Sequence, residues 1–174
     1  DIGNQALRHR DMTGIHFTGS TRTFNSIWKT VGDNMGNFRS YPRMVGETGG
    51  KDFIFVHPSS TPQEVAVAIV RGAFEYQGQK CSAASRAYIP ESLWPEVRQR
   101  IGDMLSTVTV GDVREFSHFM NAVIDEKSFD NVMSYIDYAN KSSDAEVIFG
   151  GTGDKSVGYF VQPTVILTTN PHFK

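Results

Sequence analysis

Cysteine is almost missing from this chain: one thiol, Cys81, in 174 residues. A single cysteine forms no internal disulfide, so a disulfide-stapled scaffold is excluded and a reducing, intracellular compartment is indicated. Charge of one sign is missing as well. The 17 Lys and Arg against 19 Asp and Glu leave a formal net charge of −2. No stretch gathers cations on one face, so nucleic acid and an anionic membrane surface are poor partners. No apolar run approaches the about 18–20 residues of a bilayer-crossing helix. With one Cys and dispersed His9, His16, His57, His118 and His172, no metal-ligand spacing occurs either. Repeats and low-complexity segments are absent.

What remains is the composition of an ordinary folded α/β protein. The chain starts at Asp1 without an initiator Met and stops at "TTNPHFK". Both ends read as cuts, and the expectation is a fragment of a longer polypeptide. "GIHFTGS" (residues 14–20) reads as a buried strand running into a glycine turn. Ser20 is placed to cap a helix carrying Phe24, Ile27, Trp28 and Val31 on one face. "PRMVGETGGKDFIFV" gives two short strands around a Gly-rich bend, with a composition boundary near Gly49 and Gly50. Thr61 as cap and Pro62 in the first turn open a helix with Val65, Ile69, Ala73 and Phe74 inward. "RAYIP" is strand-like. "ESLWPEVRQRIGDMLSTV" and "DEKSFDNVMSYIDYANKS" are amphipathic helices, the second with Phe129, Val132, Met133 and Ile136 inward. Three short strands, in "AEVIFGG", "GYFVQP" and "TVILTT", end the chain. This alternation predicts an α/β architecture with a largely parallel sheet.

Three stretches carry candidate chemistry. In "FTGSTRT" a strand, a glycine turn and a capped helix bring unpaired N–H groups and a positive helix end to one spot, which suits phosphate. Many α/β turns share that pattern, and it is no Walker loop. In "GETGGKD", Glu47 sits among glycines that let a ligand approach the backbone. It reads either as an exposed turn glutamate or, if desolvation raises its pKa, as a general base. In "GQKCSAASR", Cys81 reads as a structural thiol or as a nucleophile. If it opens a helical turn, the helix end and Lys80 favour the thiolate, and neighbouring N–H groups are available to an oxyanion.

In this order the three stretches resemble the NAD(P)-dependent aldehyde dehydrogenase superfamily. The matching blocks are Phe17-Thr18-Gly19-Ser20, Glu47-Thr48-Gly49-Gly50-Lys51 and Gly78-Gln79-Lys80-Cys81, followed by "GYFVQPTVI" (residues 158–166). Within the superfamily the chain is most similar to the pyrroline-5-carboxylate (glutamate-γ-semialdehyde) branch, through "FEYQGQKCSAASR", "SLWPEVR", "AVIDEKSF" and "SVGYFVQP". Gly46 and Thr48, where leucines are more usual around the glutamate, and Lys80 before the cysteine support that branch.

The resemblance implies the end of a Rossmann-like coenzyme domain (residues 1–50) and the first part of the α/β catalytic domain (residues 51–174). It implies Cys81 as nucleophile and Glu47 as the base that activates water. NAD is the implied cofactor, with Gly19, Ser20 and, less directly, Thr23 at its phosphates and Thr18, Thr48 and Gly49 near its nicotinamide end. Ser82 is implied as a hydrogen-bond donor to a substrate carboxylate. The implied substrate is a small aldehyde, glutamate γ-semialdehyde. The implied parent is a homo-oligomer, in the mitochondrial matrix for a eukaryotic source and in the cytoplasm otherwise. An oxyanion-binding Asn would precede this stretch and a ribose-binding Glu would follow it, so the stretch by itself is expected to be inactive. The alternatives are a dehydrogenase for another aldehyde and a non-catalytic relative.

Overall fold

The computed structural model describes residues 2–173. The chain divides into two compact units, residues 1–50 and 51–174. In the first unit, helix α1 (Ile2–Leu7) precedes strand β1 (Gly14–Thr18), helix α2 (Thr21–Asp33) and strand β2 (Arg43–Glu47). The polar opening gave no periodic signal for α1, and it buries no side chain. Strands β1 and β2 pair in parallel, Gly14 opposite Arg43 through Thr18 opposite Glu47. Parallel neighbours need a crossover, and α2 supplies it. Ser20 caps α2 as its position foretold, its Oγ accepting the Thr23 N–H at 3.2 Å.

The inward face expected of α2 is only partly covered. Val31 is buried and Phe24 and Ile27 are half-buried, but Trp28 is 57% exposed. Phe24 stacks on Phe17 at 5.8 Å, and Trp28 meets the edge of Phe24 at 5.7 Å. The Phe24 ring fills the space a Cβ would take at Gly46. Gly46→Ala should therefore force the ring off Phe17 and cost about 1–3 kcal/mol, measurable as a lower thermal midpoint of the full-length chain.

The second unit repeats the crossover. Strand β3 (Asp52–Phe55) and strand β4 (Ala84–Tyr88) pair in parallel across helix α3 (Pro62–Phe74). Pro62 stands in the first turn of α3 as expected, whereas the Thr61 side chain makes no capping bond and only its carbonyl accepts, from Val65. Helix α4 (Trp94–Thr107) packs on α3. Their contact is the main core: Val65, Ala66, Ile69 and Val70 from α3, Val97 and Ile101 from α4, and Val56 after β3. Val97 is 0% and Ile101 1% exposed. Ile101→Ala should lower stability by about 2–5 kcal/mol, read from thermal unfolding of the full-length chain.

Helix α5 (Glu126–Lys141) is capped by Asp125, whose carboxylate accepts the Ser128 N–H at 2.7 Å. It buries Phe129 and Ile136 against Val123 and Val161, with Val132 and Met133 half-buried beside them. Strand β5 (Ala145–Phe149) pairs with β8 (Val165–Thr168), and β6 (Gly153–Asp154) with β7 (Phe160–Val161). Both of these pairs are antiparallel, so of the four strand pairs β1–β2 and β3–β4 follow the expectation of a largely parallel sheet and the other two depart from it. Lys155 joins Glu126 and Asp130 at 2.9 Å each, tying the β6–β7 connection to α5. The Asp130 and then the Glu126 hydrogen bond raise the Lys155 pKa.

Among the described residues, no helix is long and apolar enough to cross a membrane, and no group of three His, Cys, Asp or Glu is placed to hold a metal ion.

Candidate active site

The parallel register brings two of the three candidate stretches together within the first unit. Thr18 stands opposite Glu47 at the ends of β1 and β2, and the Gly19 N–H donates to the Glu47 carbonyl at 3.0 Å. Gly19 and Ser20 then turn the chain into α2, where the Thr23 hydroxyl lies 2.8 Å from the Ser20 hydroxyl. The cap takes the Thr23 N–H, which leaves those of Thr21 and Arg22 at the helix start for an outside acceptor. A helix of 13 residues ending in such donors, with the Arg22 cation in its first turn, fits a phosphate-bearing group. Thr48 and Gly49 follow directly in the connection after β2. The Glu47 side chain is exposed.

Cys81 and Ser82 belong to the second unit, in a turn closed by the Ala83 N–H donating to the Lys80 carbonyl at 3.3 Å. This corrects the helical turn considered for Cys81: the chain makes a turn at Cys81 and Ser82, and β4 follows at Ala84. Lys80 is also committed elsewhere, its ammonium lying 3.2 Å from the Glu75 carboxylate that also binds Arg71 at 3.1 Å. The thiol is free and exposed, as is Ser82. Ala83 beside them is buried, which anchors the turn while leaving its tip open. Among the described residues no acceptor takes the Cys81 backbone N–H, so it is available to an oxygen brought to the sulfur.

The chain reaches that turn through an unusual backbone. Tyr76, Gln77 and Gly78 are three successive left-handed residues, with φ of 54°, 58° and 66°. Glycine accepts that conformation, and at Gly78 a Cβ would stand 2.7 Å from the Ala73 carbonyl oxygen. For Tyr76 and Gln77 it costs about 1–2 kcal/mol each. Two amides from this segment reach across 45 positions of sequence. The Gln77 Nε2 donates to the Ala122 carbonyl at 3.1 Å, and the Gln79 Oε1 accepts the Ile124 N–H at 2.9 Å. Sequence reasoning missed both. The available signal was the Gln-Gly-Gln spacing before the cysteine, which sets two amides on alternate positions.

The chain belongs to the aldehyde dehydrogenase family, whose model matches residues 1–174. It is 51% identical over 175 residues to the mitochondrial delta-1-pyrroline-5-carboxylate dehydrogenase of Dictyostelium discoideum, covering 99% of this chain and 31% of that protein. The human mitochondrial protein of the same name is 44% identical over 171 residues, covering 98% and 30%. The crystal structure of the Mycobacterium tuberculosis delta-pyrroline-5-carboxylate dehydrogenase bound with NAD superposes with a TM-score of 0.93 at 44% identity, covering 99% of this chain and 32% of that one. The chain therefore spans about a third of the length of the relatives it matches.

Proposed function

We propose that the polypeptide containing this chain is an NAD-dependent dehydrogenase that oxidises L-glutamate γ-semialdehyde to L-glutamate, a step of proline breakdown. The observation that carries the reading is the open Cys81 turn, set in a chain similar to pyrroline-5-carboxylate dehydrogenases along nearly its whole length. Residues 1–50 form the end of the coenzyme domain and residues 51–174 the first part of the catalytic domain.

In this mechanism the Cys81 thiolate attacks the aldehyde carbon and forms a C–S bond. The carbonyl electron pair moves to oxygen, and the unspent Cys81 N–H donates to that oxyanion. NAD, held at its phosphates by Gly19, Ser20 and Thr23 and near its nicotinamide by Thr18, Thr48 and Gly49, supplies the hydride acceptor when bound. Loss of hydride leaves a thioester on Cys81. Glu47 takes a proton from water, the resulting hydroxide attacks the thioester carbon, and the C–S bond breaks to return the thiolate and release the acid. Ser82, exposed beside Cys81, donates to the substrate carboxylate.

The relatives' mitochondrial names support a mitochondrial location for a eukaryotic source; the matrix there, and the cytoplasm for a bacterial source, are the reading drawn from the family resemblance. The full-length protein is read as a homo-oligomer. Steady-state rates of the full-length enzyme on a panel of aldehydes, with NAD and NADP in turn, test the reading. It expects the highest kcat/KM for glutamate semialdehyde with NAD. A preference for an unrelated aldehyde, or no turnover of any, contradicts it.

A further inference from the structure

We infer that Gln77 and Gln79 are positioning residues, a two-point amide clamp that holds the Cys81 turn in its reactive orientation. The inference rests on the reading of Cys81 as nucleophile. Left-handed Tyr76 and Gln77 persist only if surrounding contacts over-determine them. Gln77 and the neighbouring Gln79 both bond to one short segment, residues 122–124, which lies outside any helix or strand. Its backbone groups serve three partners: the Ala122 carbonyl and the Ile124 N–H go to the two glutamines, and the Val123 N–H goes to the Tyr159 carbonyl at 2.9 Å. Val123 itself is buried in the cluster of Phe129, Ile136 and Val161. The clamp thus fastens the loop before the sulfur to the α5 core. Lys80, Glu75 and Arg71 hold the same loop only through exposed ion pairs, which are weak fastenings.

The two amides use opposite chemistry, which makes the test specific. Gln79 is an acceptor, so Gln79→Glu keeps its bond to the Ile124 N–H. Gln77 is a donor, so Gln77→Glu sets a carboxylate oxygen against the Ala122 carbonyl and loses the bond. Both changes add the same charge beside the turn. In the full-length enzyme, Gln77→Glu should lower kcat and the iodoacetamide alkylation rate of Cys81 by about tenfold or more, with KM for NAD unchanged. Gln79→Glu should hold both within about threefold of wild type. The neutral variants Gln77→Met and Gln79→Met should both fall like Gln77→Glu, which keeps the test open if one charged variant folds poorly. Equal effects of the two Glu variants, or wild-type alkylation and turnover in both Met variants, overturn the clamp. Full activity in Cys81→Ser overturns the functional reading itself, and the clamp with it.

Discussion

Serine in place of Cys81 should slow the full-length enzyme by about a thousandfold or more in kcat while leaving NAD affinity unchanged. The size follows from the surroundings of the sulfur. The Cys81 side chain is exposed in the turn before β4, and Lys80, its neighbour in sequence, pairs with Glu75. Sulfur is intrinsically nucleophilic. A serine hydroxyl in the same turn is a far weaker nucleophile and needs an adjacent base to attack at all. Among the described residues, the hydrogen bond within the turn runs from the Ala83 N–H to the Lys80 carbonyl, which supplies no base. The first turnover is lost along with the steady state, so rapid mixing with NAD and semialdehyde should show no burst of NADH.

Glu47→Gln should give a different failure. Glutamine keeps the shape of the side chain and removes its capacity to take a proton from water. Steady-state turnover should fall by about 10²–10⁴, yet the first turnover should still release close to one equivalent of NADH per site. The enzyme then waits as the thioester. The backbone part of Glu47 is unaffected, since the bond that joins it to the Gly19 N–H uses its carbonyl, so the cofactor turn should remain intact. A burst in this variant and none in Cys81→Ser assigns the two residues to successive chemical steps. Loss of the burst in both would place Glu47 before hydride transfer.

Much of the local architecture is legible in the residues because local physics decides it. Ser20 after a glycine turn caps α2, and Pro62 opens α3. The alternation of strands with amphipathic helices gives the two β–α–β crossovers. Three features are decided by partners that local pattern does not encode. Trp28 lies on the apolar face of α2 yet is 57% exposed, meeting the edge of Phe24. Strand direction is invisible in runs as short as β6 and β7, so the antiparallel pairs come from tertiary placement. The left-handed Tyr76 and Gln77 carry no turn signature of their own, and the amides of Gln77 and Gln79 bond to the distant Ala122 and Ile124.

The candidate site divides the same way. The order of the three motifs was readable and pointed to the family that matches the whole chain. The local setting of the sulfur was not, since the sequence allowed a helix end where the chain makes a turn between a left-handed loop and β4.

The central claim, that Cys81 carries the substrate as a thioester, is tested most directly by trapping it. Full-length Glu47→Gln enzyme is mixed with NAD and glutamate semialdehyde, quenched in acid, digested and mapped by mass spectrometry. The account predicts a glutamyl adduct on the peptide bearing Cys81, formed only when NAD is present and removed by hydroxylamine. An unmodified Cys81 peptide after a full burst of NADH, or an adduct mapped to another residue, would contradict it.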